Sequence, residues 1–546
     1  MIVHHGEDGK IVDKDPSTIA LFQWAEFLGI SLNPKLIYPV SFPPGYLGIQ
    51  TQDTLYPGEA ILSAPNQSML STKYMNHPSL EVVYSAHPDL FSLPDKAHEE
   101  SRMLTYFLWE FSKGTSSFWY TYFQYLPKDL ETLVDWTDEE LAELQDNDLV
   151  YHAKHKKAKD FTLYETLQKT LRKYTELFCE EDLEIDKIHW AWKIICTRSY
   201  SGKIPYTTLI PIADLFNHNN VNTNFFYGAD TDESPDSNEL TPELDLADDD
   251  DPFSEGYRTL QFSSLKLYRL SLGPTSKMNE AQLKINNEVL KVAKAQDQRV
   301  FLQKMTTATK NIDTGNVGEE ENHKFRITVS KFEVFEPGAQ VFIKYGKYSN
   351  AQLLWHYGFA MIDNIYNYAR IKEKLKYFLN EKQFEALGKG YSPDFLVVFK
   401  LRGFEFSQEL LKTFRSFHWD ININSAESFF NPSDIVLEQC SMNKVLKFLE
   451  ESFSAFPTTI EEDLEILKSS VYKKSFAVVY RIGVKKVIRK QIQLALVLQE
   501  ILGRISNGES SVLGRCSFES DIEFIENRKA IASYVDTLKK YFPQIE

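Results

Sequence analysis

The sequence predicts an α+β fold from segments of contrasting pattern. Residues 47–62 (LGIQTQDTLYPGEAIL) and 323–345 contain short apolar runs around Pro-Gly pairs, which is typical of strands joined by tight turns. Residues 71–199 between them have helical spacing, and the chain beyond Ser349 is helix-patterned almost to its end. We therefore expect a β core that holds a helical insertion and is followed by an all-helical C-terminal domain.

Two helix starts are predicted from local signals. Residues 17–28 (STIALFQWAEFL) place apolar side chains at helical spacing behind a Ser or Thr cap. Thr459 and Glu462 have the spacing of a capping box, and the acids after Thr459 complement the helix dipole. A long helix is expected to begin there.

Composition limits the class of protein. The 546 residues, 43% of them hydrophobic, are enough for about three to four domain-sized units. Four cysteines without a CxxC spacing support neither a disulfide framework nor a zinc cluster, so no metal site is expected. We see no secretory signal pattern and no long apolar run, so the sequence predicts a protein of the cytoplasm, the nucleus or both.

The net charge of −17 is concentrated in one segment, because residues 229–256 carry twelve acidic side chains and no Lys or Arg. Without clustered cations the chain is a poor candidate for nucleic-acid binding, and a basic protein is the more plausible partner. We expect residues 229–322, acidic and then lysine-rich, to be a disordered insertion. Steering of a basic substrate by the acidic run is the open alternative. No membrane partner is predicted, and a monomer is expected.

Two motifs more than a hundred residues apart suggest the chemistry. The first is IPIADLFNH, which includes Asp214, Asn217 and His218; the second is VFIKYG, which ends in Tyr345-Gly346. Ser349-Asn350 and Tyr357-Gly358-Phe359 follow the second motif. Taken singly each is an ordinary strand end or turn. Their order, with the Pro57-Gly58 turn upstream, resembles that of the SET-domain protein methyltransferases.

Within that superfamily the chain resembles the split-SET branch. That branch includes the Rubisco large-subunit and fungal ribosomal-protein lysine methyltransferases, and related enzymes acting on cytochrome c, elongation factor and actin histidine. The tail is similar too, with Thr459, Glu462-Asp463-Leu464, Tyr480-Arg481 and Lys485-Lys486 in the family's C-terminal pattern. The resemblance implies four parts: residues 17–70 and 200–362 as the two SET halves, residues 71–199 as the insertion, and residues 363–546 as a helical substrate-binding domain.

The resemblance implies a site for S-adenosylmethionine. Gly45, Leu47 and Gly48 match the N-terminal SET motif that lies along this cofactor, although Tyr46 replaces the first glycine of the usual G-x-G. Arg198 matches an arginine that pairs with the methionine carboxylate. Asn217 and His218 match residues that contact the adenine and amino groups, and Asp214 and Tyr345 complete the implied set.

The resemblance also places the target amine. Tyr345 matches the tyrosine at the methyl-transfer channel, and Tyr200, Tyr357 and Phe359 match residues that line the lysine tunnel. Aromatic faces attract an ammonium or sulfonium ion. A lysine must lose its proton before it attacks, since its ordinary pKa is about 10.4, so the site has to desolvate and align the amine.

The sequence therefore predicts an S-adenosylmethionine-dependent protein lysine N-methyltransferase, acting on a basic protein such as a 60S ribosomal protein. Elongation factor, cytochrome c or a protein histidine are alternative targets. A second hypothesis is a SET-fold binding module without catalysis, which Tyr46 at a glycine position mildly favours. A helical scaffold of other ancestry leaves the ordered motifs unexplained.

Overall fold

The computed structural model describes residues 1–43, 45–93, 96–201, 204, 207–229, 323–378, 396–415, 432, 434–508 and 521–542. The predicted disordered insertion 229–322 lies outside these residues except for Ala229. In the described ranges no helix is long and apolar enough to cross a membrane. The same ranges contain no group of three or more His, Cys, Asp or Glu placed to hold a metal ion.

Fourteen strands are described in these ranges. They are β1 (Ile2–His4), β2 (Lys10–Ile11), β3 (Ser31–Leu32), β4 (Leu36–Phe42), β5 (Tyr46–Thr51), β6 (Ala60–Pro65), β7 (Leu70–Ser71), β8 (Ser199–Tyr200), β9 (Thr208–Leu209), β10 (Asn224–Gly228), β11 (Lys324–Thr328), β12 (Glu333–Phe335), β13 (Tyr368–Lys374) and β14 (Leu396–Arg402).

These strands form small sheets that bring the two predicted SET halves together. The largest has the order β10-β11-β6-β3, so β11 from the second half pairs with β6 from the first, with Phe325 opposite Ala64. The sheets β2-β4-β5 and β7-β9-β8 are antiparallel, and β1 pairs with β12 in parallel. Because β7 and β8 both pair with β9, the chain enters and leaves the insertion at one place.

The helices fill the insertion and the C-terminal region. They are α1 (Pro16–Phe27), α2 (Glu81–Ala86), α3 (Pro88–Phe91), α4 (Lys96–Ser112), α5 (Tyr120–Tyr125), α6 (Asp138–Ala142), α7 (Asn147–Leu171), α8 (Ile185–Arg198), α9 (Asn350–Tyr357), α10 (Gln408–Arg415), α11 (Ile435–Ser454), α12 (Ile460–Ser469), α13 (Tyr472–Ser506) and α14 (Asp521–Tyr541). The capping box of Thr459 and Glu462 starts α12, as predicted, but α12 has only 10 residues; the long helix expected there is α13, which begins separately at Tyr472 and has 35.

The α+β class is confirmed, with three corrections. The C-terminal domain is not all-helical, because β13 and β14 form an antiparallel pair with Ile371 opposite Phe399. Helix α1 is capped by Asp15, whose carboxylate accepts from the Thr18 amide, and not by Ser or Thr. The expected strand at residues 339–345 forms only single bridges, through Gln340 and Ile343.

Two large cores divide the molecule. One joins the SET strands to insertion helices such as α4 and α8, and includes Phe107, Ile194 and Phe325. The other joins α11, α13 and the β13-β14 pair to α9 and to residues 133–153 of the insertion. The insertion therefore contributes side chains to both cores and connects the C-terminal region to the SET strands.

Candidate active site

Three chain segments meet side by side at the centre of the SET region. The amide of Val341 donates to the carbonyl of Ile49 at 2.8 Å, and the amide of Ile343 donates to the carbonyl of Asn217 at 3.0 Å. Just before this junction Ile212 has a φ of +69°, a conformation that costs a β-branched residue free energy. The resemblance motifs, distant in sequence, are thus brought together by main-chain hydrogen bonds.

The glycine at residue 48 allows close approach in this junction. A Cβ atom there would lie 2.2 Å from Nε2 of Gln340 and 2.9 Å from Nδ2 of Asn217, so any other residue would clash. The Asn217 side chain donates to the carbonyl of Leu47 at 2.8 Å. Gly45 has a φ of +130°, a conformation that favours glycine. Gly48, Asn217 and the Leu47 carbonyl therefore form one cradle.

His218 is held neutral at this junction. Its Nδ1 lies 3.1 Å from the amide nitrogen of Tyr345 and 3.3 Å from the carbonyl of Ile343; the shorter contact is with a donor, so Nδ1 accepts. The hydrogen then sits on Nε2, which is buried without a partner. Burial lowers the pKa of His218 to about 4, against the opposing effect of the Ile343 carbonyl.

Tyr345 connects the junction to a neighbouring pocket. Its hydroxyl donates to the carbonyl of Phe216 at 2.7 Å, and its ring lies 5.1 Å from that of His218 and 5.0 Å from that of Tyr357. Burial raises the pKa of the Tyr345 phenol above its ordinary value. The hydroxyl therefore stays protonated, and acts as a hydrogen-bonding group and not as a base.

The pocket beside Tyr345 has a cationic and an anionic side chain at its base. Arg198 Nη1 lies 2.9 Å from Oδ2 of Asp214, which also accepts from the hydroxyl of Tyr122 at 2.9 Å. The side chain of Asp214 is 1% exposed, and its Oδ1 has no partner. Burial is the largest single influence and acts to lower the pKa of Arg198, but Asp214, Tyr122 and Tyr345 together outweigh it and the pKa is raised.

The pocket walls are aromatic. The lining side chains, with Arg198 and Asp214 among them, are those of Thr197, Arg198, Ser199, Tyr200, Ser201, Asp214, Phe225, Tyr345, Tyr348 and Tyr357. The hydroxyl of Tyr200 donates to the carbonyl of Ala213 at 2.7 Å, which fixes its ring against Phe225. An aromatic enclosure with one unpaired carboxylate oxygen suits a cation.

The pocket wall at Tyr357 rests on the insertion. Gly358 ends α9 with a φ of +79°, and a Cβ there would lie 2.1 Å from the carbonyl oxygen of Glu131. The Glu131 carboxylate in turn accepts from Lys473 Nζ at 3.0 Å and from the Tyr472 hydroxyl at 3.0 Å. The C-terminal domain thus contacts the site through residue 131.

The structure brings most predicted site residues together. Arg198 and Asp214, which were expected at the cofactor, pair with each other and line the aromatic pocket with Tyr200, Tyr345 and Tyr357. The cradle contains Gly48 and Asn217, with the Leu47 carbonyl as its acceptor. Phe359 lies outside the pocket lining, with its ring 6.2 Å from that of Tyr357 and 6.3 Å from that of His218.

The sequence did not single out three residues that contact the site: Tyr122, Tyr348 and Gln340. Tyr122 comes from insertion helix α5, 92 residues before the carboxylate it contacts. Its segment YTYFQY has only the pattern of a packed helix. Gln340 lies in a segment assigned to a strand, where alternation alone gives no reason to choose it.

Known proteins are similar to parts of this chain. The Rubisco LSMT substrate-binding family matches residues 376–488. A tobacco (Nicotiana tabacum) protein named ribulose-1,5 bisphosphate carboxylase/oxygenase large subunit N-methyltransferase, chloroplastic, is 24% identical over 216 residues, 38% of this chain and 40% of its own length. The Arabidopsis thaliana [fructose-bisphosphate aldolase]-lysine N-methyltransferase, chloroplastic, is 25% identical over 207 residues, covering 36% and 39%.

The matches to these two relatives thus span about two fifths of the relatives' lengths. Solved structures match over more of the chain. Rubisco LSMT bound to sinefungin and monomethyllysine superposes with a TM-score of 0.52 at 16% identity, over 93% of this chain and 99% of that one. The SET domain of LSMT bound to lysine and AdoHcy gives 0.51 at 15% identity, over 93% and 98%. This chain therefore has the fold of the SET domain of LSMT, and its residues 376–488 match the Rubisco LSMT substrate-binding family.

Proposed function

We propose that this protein is an S-adenosylmethionine-dependent protein lysine N-methyltransferase. The observation that carries the proposal is a pair of neighbouring sites linked by Tyr345. Tyr345 lines the aromatic pocket with its buried carboxylate, and it contacts Phe216 and His218 on either side of Asn217 in the polar cradle. The solved relatives of this fold bind AdoHcy or sinefungin together with lysine or monomethyllysine. Two ligand sites that meet at one side chain are what transfer between two substrates requires.

The residues of the cradle fit the cofactor. The missing Cβ of Gly48 lets the amide nitrogens of Gln340 and Asn217 approach the main chain, and two buried nitrogens of this junction, Nε2 of Gln340 and Nε2 of His218, have no protein partner. When bound, S-adenosylmethionine supplies a sulfonium-activated methyl group; as the amine nitrogen bonds to that carbon, the carbon–sulfur bond breaks and its electron pair stays on sulfur. Asn217, His218, Gly48 and the Leu47 carbonyl would hold this cofactor.

The pocket residues act on the amine. The aromatic rings of Tyr200, Tyr348 and Tyr357 exclude bulk water from a lysine side chain and so favour its neutral form. The unpaired oxygen of Asp214 attracts the incoming ammonium group and stabilises the positive charge that the amine acquires on methylation. The Tyr345 hydroxyl fixes the direction of the nitrogen. The proton leaves to water, since among the described residues that line the pocket no base is present except the paired Asp214.

The protein substrate is proposed to be basic, such as a 60S ribosomal protein. The chain carries a net charge of −17, which raises the local concentration of a basic partner. The match to a substrate-binding family at residues 376–488 supports a protein as the target. A histidine of a protein is the second candidate target, because the pocket's rings and carboxylate also suit an imidazole. A cytoplasmic or nuclear site of action and a monomeric state remain predictions.

The experiment is transfer of tritiated methyl groups from S-adenosylmethionine into a fractionated cell extract, with mass spectrometry of the labelled band to identify the methylated residue. The test variant is Tyr345→Phe. Its matched control is Tyr84→Phe, since Tyr84 also donates a buried phenol hydrogen bond to a main-chain carbonyl, at 2.9 Å to Met75, but outside the pocket lining.

The proposal expects label in a basic protein, greatly slowed by Tyr345→Phe and retained by Tyr84→Phe. A folded wild-type chain that binds S-adenosylmethionine but labels nothing in any fraction would instead support a binding module. Label found only on histidine would change the target class and leave the reaction type intact.

A further inference from the structure

The side-chain amide of Gln340 has a donor that the protein does not use. Gln340 is 1% exposed, and its Oε1 accepts from the Tyr46 hydroxyl at 3.2 Å. Its Nε2 has no hydrogen-bond partner. Buried polar atoms are usually satisfied, and leaving one unpaired costs free energy. Such an atom therefore needs a reason.

The unused donor faces the cradle. Nε2 of Gln340 and Nδ2 of Asn217 lie 2.2 Å and 2.9 Å from the same point, the position of the Cβ that Gly48 lacks. Alternate residues of a strand project to one face, so Tyr46 and Gly48 share a face of β5. Tyr46, which replaces a glycine of the usual motif, therefore holds the Gln340 amide on the face of β5 that it shares with Gly48.

A neighbouring glutamine shows that this amide could have been satisfied by protein. Gln50 lies two residues after Gly48 on the same strand and is bridged to Gln340. It is also buried, at 8% exposure, but its Nε2 donates to the carbonyl of Gly338 at 2.9 Å. Of these two adjacent glutamines, one has a structural partner and the other does not.

We propose that Nε2 of Gln340 donates a hydrogen bond to an acceptor atom of S-adenosylmethionine, and that the Tyr46 hydroxyl orients the amide for this contact. The inference rests on the proposed function. It makes Gln340 a cofactor-binding residue and Tyr46 a positioning residue. It also explains how a tyrosine is tolerated where a glycine is usual, since its phenol takes part in the site.

Replacing Gln340 should affect stability and cofactor binding differently from replacing a glutamine that only stabilises the fold. In the free protein the unpaired N–H is a cost. The Tyr46 hydroxyl that Oε1 accepts from belongs to a side chain 42% exposed and can bond water instead, so replacing Gln340 by a residue without a donor should leave stability unchanged or raise it. In the complex the same replacement removes a hydrogen bond. The same replacement at Gln50 should do the opposite, because its donor is used by Gly338.

The experiment compares Gln340→Met with its matched control Gln50→Met, by isothermal titration of S-adenosylmethionine and by thermal unfolding without ligand. For Gln340→Met we expect an unchanged or higher Tm and a Kd raised about tenfold. For Gln50→Met we expect a lower Tm and a Kd within about twofold of wild type. Tyr46→Phe should raise the Kd by about threefold, because the amide is then free to turn.

The outcomes distinguish a failure of the Gln340 assignment from a failure of the proposed function. A Gln340→Met chain that binds as tightly as wild type would overturn the inference and leave the proposed function standing. If that variant does not fold, an unchanged Kd in Tyr46→Phe overturns it instead. A folded wild type that does not bind S-adenosylmethionine overturns the proposed function, and the inference with it.

Discussion

Two buried polar clusters in this protein differ in whether their partners are supplied by the chain. The first is the clamp, formed by Asp463, Arg481 and Lys485. Arg481 Nε lies 2.8 Å from one oxygen of Asp463, and Lys485 Nζ lies 2.6 Å from the other. All three side chains are at most 2% exposed. Arg481 also donates to the main-chain carbonyl of Glu143 at 2.6 Å, which ties α13 to the insertion.

The second cluster is the site, where several buried atoms have no partner in the chain: Oδ1 of Asp214, Nε2 of His218 and Nε2 of Gln340. Both clusters look alike in a sequence, as polar residues in apolar surroundings. A buried polar residue whose hydrogen bonds are complete stabilises the fold. One whose hydrogen bonds are incomplete, such as Asp214 in the pocket lining, is available to a ligand.

The largest expected effect breaks the clamp. Asp463→Ala leaves Arg481 and Lys485 as buried cations without their carboxylate, and we expect a loss of about 3–5 kcal/mol in the free energy of unfolding. Chemical denaturation measures it. The control is Glu465→Ala on the same helix, which removes the exposed pair with Lys468 and should cost less than about 1 kcal/mol. Equal losses in the two variants would show that the clamp has no special weight.

The second largest effect distinguishes methyl transfer from binding of S-adenosylmethionine. Tyr345→Phe keeps the ring but removes the hydroxyl bonded to the Phe216 carbonyl, so we expect the methyl-transfer rate to fall about 100-fold. Titration should find the Kd for S-adenosylmethionine within about twofold of wild type. A rate that is unchanged would remove Tyr345 from the mechanism.

The third effect concerns pH. Because the pKa of His218 is about 4 in the folded chain and about 6.5 when unfolded, the unfolded state takes up a proton first as the pH falls. The contribution of neutral His218 to the free energy of unfolding is fully present above pH 6.5 and is lost as the pH falls from 6.5 to 4. At pH 5 the loss should be about 2 kcal/mol. Denaturation of wild type and His218→Gln at pH 7 and pH 5 tests this: the variant should lack that part of the pH dependence, and equal slopes would contradict it.

The smallest effect concerns the contact between the C-terminal domain and the pocket wall. Lys473→Met removes the cation that holds Glu131 behind Gly358, and should lower the transfer rate about fivefold through a coupling of about 1 kcal/mol. Lys474→Met is the matched control, since it breaks the adjacent pair with Glu143 and leaves Glu131 held.

Steady-state rates at saturating S-adenosylmethionine compare the two lysine variants. Lys473→Arg should restore most of the rate, because it keeps the charge. A Lys474→Met chain that is slowed as much as Lys473→Met would mean that the whole interface, and not residue 131, positions the wall.

Features set by residues close together in the sequence could be predicted, whereas contacts between residues far apart in the sequence could not. The capping box at Thr459 and the order of the site motifs are local, and they led to the right fold class and to most pocket residues. Lys473 and Glu131 are 342 positions apart, and no pattern in either segment indicates their contact. The same is true of Tyr122 and Asp214.

The sequence did contain a signal for the β13-β14 pair, which the all-helical prediction missed. The strand β14 buries Val397, Phe399 and Leu401 at every second position, a period-two signal that helical composition around it obscured. The roles of Asp463 and Asp214, by contrast, depend on whether all carboxylate oxygens find partners, and only three-dimensional packing decides that.

The most direct test of the comparison is amide hydrogen exchange with and without S-adenosylmethionine. We predict that adding the cofactor slows amide exchange in the three segments that contain or adjoin the unpaired donors, residues 45–50, 214–219 and 340–345. Residues 460–485 around the clamp should exchange at the same rate in both conditions. Protection confined to residues 460–485, or none anywhere, would contradict the assignment of the incomplete cluster as the ligand site.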